Sequence, residues 1–181
     1  MGGAFSRRTR RVRLLIAGID AAGKTTVLHV LKSNAKPPRH HATPPHTVPT
    51  TDFNVATTTH NKVAFDVWDV GGQDSLRPLW RHYFSGTQGL IYVVDTNDTQ
   101  RVAKAAEELH TMLVNDEMAH AVVPIRATKT DLPRAPSTDQ LATEMGLDRI
   151  VHRYRIQRAC ATSGEGIWEG MDWLAANVKD L

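Results

Sequence analysis

Apolar and polar positions form blocks along the chain, and each block has the period of a strand or of a helix. Short apolar or alternating runs predict six strands, at 12–19, 53–59, 62–70, 89–95, 121–127 and 156–161. Helical spacing predicts helices over 24–32, 100–115 and 167–178, and Ser137 with Gln140 predicts a capping box before a short helix that ends at Met145. This alternation predicts a single α/β domain with a six-stranded, mostly parallel sheet and helices on both faces.

Two segments depart from this pattern. Pro124 removes a hydrogen-bond donor from the predicted strand at 121–127, and Arg126 is an unusual residue for the interior of a sheet. Residues 33–49 have no periodicity, and their five prolines and three histidines predict a mobile loop.

The composition is that of a globular protein with one domain. The chain has 181 residues, of which 41% are hydrophobic and 23% are charged. Cys160 is the single cysteine, which excludes an internal disulfide and favours a reducing compartment. No apolar run approaches the ~18 residues of a membrane-spanning helix, and no signal-peptide core follows the first arginines. We therefore expect a cytoplasmic protein.

The formal net charge of +3 is unevenly distributed. The first 13 residues hold five arginines and no acid, so the remaining chain has a net charge near −2. A basic tail of this kind suits an anionic membrane or a nucleic acid, and charge alone does not distinguish the two.

A phosphate-binding loop is predicted at 18–25, where the chain reads Gly-Ile-Asp-Ala-Ala-Gly-Lys-Thr between a strand and a helix. In the spacing G-x-x-x-x-G-K-S/T, the glycines let backbone N–H groups point at phosphate oxygens, Lys24 reaches the β and γ phosphates, and the Thr25 hydroxyl binds Mg²⁺. A chance match has a frequency under about 1% in a chain of this length. The predicted phosphate-binding residues are Gly18, Asp20, Ala21, Ala22, Gly23, Lys24, Thr25 and Thr26.

Two later segments indicate which base is bound. Asp131, in Thr-Lys-Thr-Asp after the fifth strand, can accept both N–H groups of the Watson–Crick edge of guanine, a pair that adenine does not present. The segment 160–164, Cys-Ala-Thr-Ser-Gly, would offer the Ala161 N–H to the carbonyl oxygen of guanine. Taken alone, Thr-Lys-Thr-Asp is more often a polar loop, and the segment 160–164 is as readily a helix-start turn as part of a base site. The predicted guanine-binding residues are Thr128, Lys129, Asp131, Cys160, Ala161 and Thr162.

The segment Asp-Val-Gly-Gly-Gln at 69–73 adds a third match in fixed order. Asp69 can hold Mg²⁺ through water, Gly72 can offer its N–H to a γ-phosphate, and Gln73 can orient the attacking water. Alone the segment is only a turn, but after a phosphate-binding loop it indicates a nucleotide sensor with Gln73 as the catalytic residue.

With these residues assembled, the chain resembles an Arf or Arf-like small GTPase of the Ras superfamily from about Val12 onwards. The matching segments are 18–26, Trp-Asp-Val-Gly-Gly-Gln at 68–73, Arg-Pro-Leu-Trp-Arg-His-Tyr-Phe at 77–84, and 160–164. The resemblance implies a Ras-like P-loop fold that binds GTP or GDP with Mg²⁺. It also implies slow GTP hydrolysis that depends on an activating protein, an exchange factor, and effectors recruited to membranes in vesicle trafficking.

The resemblance also assigns the switch residues. Switch I corresponds to about 36–54 and switch II to about 69–84. Thr50 matches the threonine that closes on Mg²⁺ in the GTP state, so the implied metal set is Thr25, Thr50 and, through water, Asp69. The aromatic trio that effectors of this family contact corresponds to Phe53, Trp68 and Tyr83.

Three departures from the family pattern lie in or near this site. The loop at 36–49 is several residues longer, Asp52 replaces a usual glycine, and Thr128 replaces a usual asparagine. We expect guanine binding to survive the change at Thr128, because Rho-type relatives tolerate it. The long loop and Asp52 could instead make the protein a hydrolysis-deficient, GDP-bound membrane adaptor, which is the alternative to the switch. An adenine-specific kinase is a third reading, but the sequence contains no recognisable lid or substrate site for it.

The N-terminus fits the myristoylation pattern M-G-x-x-x-S/T, which predicts a lipid on Gly2. One myristoyl chain binds membranes only marginally, so the arginines would supply the second signal. We expect a basic, myristoylated tail at 1–11, a GTPase domain at 12–181, and a peripheral membrane location. The Golgi is the commonest address of the family, and we do not expect nucleic acid as a partner.

Overall fold

A six-stranded sheet runs through the part of the chain that the computed structural model describes, residues 9–33, 47–133 and 135–178. Its strands are β1 (Arg10–Ala17), β2 (Phe53–His60), β3 (Val63–Val70), β4 (Gly89–Asp95), β5 (Val123–Thr128) and β6 (Tyr154–Arg158). The helices are α1 (Lys24–Ser33), α2 (Val102–Leu113), α3 (Thr138–Glu144) and α4 (Ile167–Asn177). Three 3₁₀ helices, Arg77–Tyr83, Asp116–Met118 and Leu147–Arg149, complete the regular structure of these residues.

The strand order is β2-β3-β1-β4-β5-β6, and every neighbouring pair is parallel except the hairpin of β2 and β3. The carboxyl ends of β1, β3, β4 and β5 therefore meet at one edge of the sheet, where ligands of open α/β sheets bind. This topology confirms the predicted fold class.

Alternating side chains of the central strands form one apolar cluster on each face of the sheet. On β1, Leu15 packs with α2 and α3, whereas Leu14 and Ile16 pack with α1 and α4. All seven residues of β4 are buried, as expected for a strand covered on both faces. Helices are required on both faces because neither cluster can face water.

The predicted boundaries of β1 and β6 are each wrong by two or more residues. β1 begins at Arg10 rather than at Val12, because its basic side chains find partners on β3. Arg11 forms two hydrogen bonds with the Asp66 carboxylate, at 3.0 and 2.8 Å, and the Arg13 guanidinium lies 4.6 Å from the centre of the Trp68 ring. These contacts draw residues assigned to the basic tail into the sheet.

β6 ends at Arg158 rather than at Ala161, because the chain turns back at Cys160. The Cys160 N–H donates to the Glu165 carbonyl at 3.0 Å, and the Gly164 N–H donates to the Cys160 carbonyl at 2.8 Å. These bonds close a tight loop, so residues 160 and 161 are not available to extend the strand.

Pro124 lies in the interior of β5 and interrupts its pairing with β4. Val122 N–H donates toward β4, to Gln88, and Val123 N–H donates toward β6, to Arg153. The nitrogen of residue 124 therefore faces β4, where proline has no hydrogen to donate. One bridge joins Gly89 to Val122, and regular pairing resumes only at Tyr92 with Ile125.

Several predicted features lie outside the described residues. These are Gly2, Arg7 and Arg8 of the basic tail, and residues 34–46, most of the predicted mobile loop. Within the described ranges, no helix has the length and apolar character needed to cross a bilayer.

The capping box of α3 provides a test of local stability. The Ser137 hydroxyl accepts from the Gln140 N–H at 3.2 Å, and the Gln140 side chain accepts from the Ser137 N–H at 2.9 Å, as predicted. We expect Ser137→Ala to lower the free energy of unfolding by about 1 kcal/mol in urea denaturation. Thr143→Ala, on the exposed side of the same helix, is the control. Equal losses in the two variants would show that the cap is not the cause.

Candidate functional site

The loop between β1 and α1 bends sharply around the N-terminus of the helix. Gly18, Ala21 and Gly23 have positive φ angles of 144°, 60° and 95°. A Cβ on Gly18 would lie 2.3 Å from the Val93 carbonyl oxygen of β4, so only glycine fits where β1 ends. The loop can therefore curl with its backbone N–H groups at the start of α1, as a phosphate-binding loop requires.

A cavity of about 460 Å³ opens in front of this loop. Most of the predicted phosphate-binding residues line it, whereas Gly18 and Ala22 are buried and do not line it. Its lining consists of Asp20, Ala21, Gly23, Lys24, Thr25, Thr26 and Gly72, together with Thr50, Gln73, Thr47, Val48, Pro49 and Lys129. The sequence prediction thus names residues that the fold brings to one cavity.

Lys24 is held at the back of the cavity. Its ammonium group is almost fully buried and donates to the Ile19 carbonyl at 2.9 Å. Burial lowers the pKa of Lys24 to about 8, against the attraction of Asp69 and Asp20. A Cβ on Gly72 would lie 2.3 Å from the Lys24 nitrogen and 2.5 Å from the Gly18 carbonyl, so Gly72 is packed directly against the loop.

The three predicted magnesium residues meet at the Thr25 hydroxyl. This hydroxyl donates to Asp69 Oδ2 at 2.8 Å and lies 3.0 Å from the Thr50 hydroxyl. Asp69 is fully buried, its burial raises its pKa, and its Oδ1 has no hydrogen-bond partner among the described residues. Hard oxygen donors of this kind are the ligands that Mg²⁺ takes, so the residues present fit the ion.

A second cavity, of about 210 Å³, continues from the first. It contains all six predicted guanine-binding residues, in two groups that lie far apart in the sequence: Thr128, Lys129 and Asp131 on one side, and Cys160, Ala161 and Thr162 on the other. Gly23 and Thr26 line both cavities, so a nucleotide could reach from one to the other. The guanine assignment of these residues stays a prediction.

Thr128 lines the second cavity and contacts the backbone on two sides. Its hydroxyl lies 2.8 Å from the Ala22 carbonyl and 2.9 Å from the Val94 carbonyl, and thereby ties the phosphate-binding loop to β4. Lys129 adopts a positive φ of 57°, and its ammonium group bonds to Asp95. Thr128, which replaces the usual asparagine of the family, is thus hydrogen-bonded to backbone carbonyls of the site.

Comparison with known proteins places the chain among small GTPases. The model of the ADP-ribosylation factor family matches residues 3–178. The chain belongs to the Arf family. It is also similar to the structure of the Arl6 BBS3 small GTPase from Trypanosoma brucei with bound nucleotide analogue GppNp, with 26% identity and a TM-score of 0.82 over 94% of this chain and 98% of that one. The Arf-family protein is therefore a Ras-like GTPase that binds GTP and GDP with Mg²⁺.

Gln73 of this Arf-family protein is exposed and lines the first cavity beside Gly72. Its carbonyl accepts from the N–H groups of Leu76 and Arg77, which starts the 3₁₀ helix of switch II. The backbone is therefore fixed on one side of Gln73, while its side chain faces the space in front of the phosphate-binding loop. A residue that orients water needs this arrangement.

Sequence reasoning missed two arginines that hold switch II and α2 to the phosphate-binding loop. Arg77 donates to the Gly72 carbonyl at 3.0 Å and pairs with Glu108 and Asp20. Arg101 pairs with the same Asp20 at 2.9 Å. Arg77 lies in the matching segment 77–84, which was a signal for it, whereas nothing in the sequence pairs Arg101 with Asp20.

The predicted aromatic trio forms one cluster. Ring centres lie 5.2 Å apart for Phe53 and Trp68, 5.7 Å for Phe53 and Tyr83, and 6.2 Å for Trp68 and Tyr83. Asp52, which replaces the usual glycine, accepts from the Tyr83 hydroxyl at 3.2 Å, and its carbonyl accepts from the Gly71 N–H. Asp52 therefore joins switch I to switch II.

The base assignment can be tested at Asp131. We expect Asp131→Ala to weaken GDP binding at least about 100-fold, because two charge-assisted hydrogen bonds to the base are lost. Isothermal titration or GDP dissociation kinetics measure this. Asp131→Asn is the matched variant, since an amide can donate to the second carbonyl oxygen of xanthine and should favour XDP over GDP. An unchanged GDP dissociation rate in Asp131→Ala would contradict the assignment.

Proposed function

We propose that this Arf-family GTPase is a membrane switch that recruits effector proteins in its GTP state and is released in its GDP state, as part of vesicle trafficking. The observation that carries the proposal is the meeting of Thr50 and Asp69 at the Thr25 hydroxyl. These two residues belong to different switches, and the third belongs to the phosphate-binding loop. Whatever binds at that hydroxyl therefore acts on both switches together.

Each residue of the site has a role in this proposal. Thr25, Thr50 and Asp69 would hold Mg²⁺, which when bound neutralises phosphate charge. Lys24 would bind the β and γ phosphates, and the Gly72 N–H would report the presence of the γ-phosphate.

Gln73 would orient the attacking water, and a partner's arginine would complete the transition-state charge. Hydrolysis would therefore be slow until an activating protein binds, and an exchange factor would reload the protein with GTP.

Effectors would read the state of the switches at the aromatic cluster. Phe53 belongs to switch I and Tyr83 belongs to switch II, so the packing of the rings depends on both segments. Phe53, Val55 and Leu79 are the exposed large apolar residues near this cluster, each more than 40% exposed. An apolar patch between the two switch segments suits a partner that binds only one state.

Membrane attachment would come from the N-terminus. A myristoyl chain on Gly2 needs a second signal. Arg11 and Arg13 are engaged with Asp66 and Trp68, which leaves the first arginines of the tail as the stronger candidates for contact with anionic lipid. The Golgi membrane is the proposed address, because it is the commonest one in the family.

Gln73→Leu tests the hydrolytic part of the proposal. We expect unchanged GDP affinity but at least about tenfold slower release of phosphate in single-turnover assays with Arf-family activating proteins, because the water loses its orienting group. Ser75→Ala, exposed in the same segment, is the control. A wild-type protein that releases no phosphate under any of these conditions would favour the GDP-bound adaptor instead. Full activity of Gln73→Leu would assign the role to another residue.

Gly2→Ala tests the lipid anchor. The variant lacks the glycine at position 2 that the myristoylation pattern requires. We therefore expect the protein to move from the membrane pellet to the supernatant in cell fractionation. Gly3→Ala keeps the acceptor and should stay in the pellet. If Gly2→Ala also stays there, the arginines or a partner provide the attachment.

A further inference from the structure

Arg126 is the largest side chain that is completely buried in the described residues. It lies in β5, between apolar neighbours, two residues before Thr128. A buried guanidinium is costly unless it is paired or hydrogen-bonded, so its retention calls for a specific set of contacts. Burial lowers its pKa to about 10, with Glu169 favouring the charged form, so it remains charged at neutral pH.

The guanidinium of Arg126 contacts the start of α4. It donates to the Ile167 carbonyl at 3.2 Å and to the Gly166 carbonyl at 3.4 Å. Its Nε has no partner among the described residues. A positive charge beside the first turn of a helix opposes the helix dipole, so the charge itself gains nothing from this position. The two carbonyls are what the position provides.

Gly170 makes room for this side chain. A Cβ on Gly170 would lie 1.4 Å from Nη1 of Arg126 and 2.1 Å from its central carbon. Glycine inside a helix is less favourable than alanine. Strand and helix therefore each carry an unfavourable residue, and the two residues fit each other.

The contact lies at the C-terminal end of the loop 160–166, and the N-terminal end of this loop is also fixed to β5. At the N-terminal end, the Ala159 N–H donates to the Ala127 carbonyl at 2.8 Å. At the C-terminal end, Gly166 has a φ of 73°, and a Cβ there would lie 1.9 Å from the Arg158 carbonyl oxygen. Among the described hydrogen bonds, Arg126 is the only β5 side chain that bonds to the C-terminal end of the loop.

These contacts relate the two halves of the second cavity. The residues that follow Arg126 in the chain, Thr128, Lys129 and Asp131, form one half, and the loop that it holds supplies Cys160, Ala161 and Thr162. We propose that Arg126 is a positioning residue for the guanine pocket, which sets the loop 160–166 against the end of β5. The inference rests on the proposed assignment of this pocket to the base.

Arg126→Met tests the role, because it keeps an unbranched side chain that can stay buried but removes the guanidinium and both of its hydrogen bonds. We expect GDP affinity to fall about tenfold while the weak affinity for ADP, which depends on phosphate and ribose, is unchanged. Ile125→Ala is the matched control, since Ile125 is the buried neighbour in β5 that packs on the opposite face. It should lower stability without changing the ratio of GDP to ADP affinity. An equal loss for both nucleotides in Arg126→Met would make Arg126 a structural residue only.

Gly170→Ala approaches the same contact from the helix. Its methyl group favours α4 but displaces the guanidinium. If Arg126 positions the loop, the variant keeps its fold but has a smaller ratio of GDP to ADP affinity. Its backbone amides at 160–166 should also exchange hydrogen faster. Arg126→Lys, with one donor group in reach, should be intermediate. Unchanged ratios in Gly170→Ala, or unfolding of both Arg126→Met and Gly170→Ala, would overturn the proposal.

Asp131→Ala separates the two levels of the argument. If the base does not occupy this pocket, Asp131→Ala leaves the GDP to ADP ratio unchanged, and the proposed assignment fails first. If Asp131→Ala lowers the ratio and Arg126→Met does not, the pocket stands and the positioning role of Arg126 fails.

Discussion

The close approach of three backbone segments at the carboxyl edge of the sheet is the constraint on which the site depends. Gly18 leaves no side chain between the end of β1 and Val93, and Gly72 leaves none between switch II and the phosphate-binding loop. Because these contacts are between backbone atoms, a methyl group at either position would have to move a main chain. The buried Lys24 lies against Gly72, and the buried Asp69 is hydrogen-bonded to Thr25 at the start of α1. Backbone packing therefore places the residues that we predict to bind phosphate and metal.

Around this centre, the switches and α2 are joined by polar contacts at the surface of the loop. Asp20 is the common partner of Arg77 and Arg101, and Asp52 bonds to Tyr83. The Arg101–Asp20 pair is exposed, and exposed pairs contribute little to stability individually, whereas the Arg77 side chain is only 8% exposed. In the proposed switch, these contacts connect segments that would separate when the nucleotide changes, and the weaker ones could be exchanged at small cost.

The sequence predicts those parts of the molecule whose partners are close in the chain. The phosphate-binding loop, the capping box at Ser137 and the strand-helix alternation depend on spacings of a few residues, and the structure contains all three. Arg126 looks unfavourable in sequence, since its compensation is Gly170, 44 positions away. The early start of β1 likewise depends on Asp66, which sequence periodicity does not connect with Arg11.

The two cavities differ in how their polar groups are satisfied. On the phosphate side, Asp69 Oδ1 has no partner among the described residues and Lys24 bonds only to a backbone carbonyl in the contacts described. Ligand oxygens and a cation would therefore relieve buried charge there, which links nucleotide binding to folding stability by mass action. On the base side, Thr128 and Arg126 already bond to carbonyls of the chain. The fold itself assembles the proposed base pocket, whereas the proposed phosphate pocket would gain its remaining electrostatic stabilisation from what it binds.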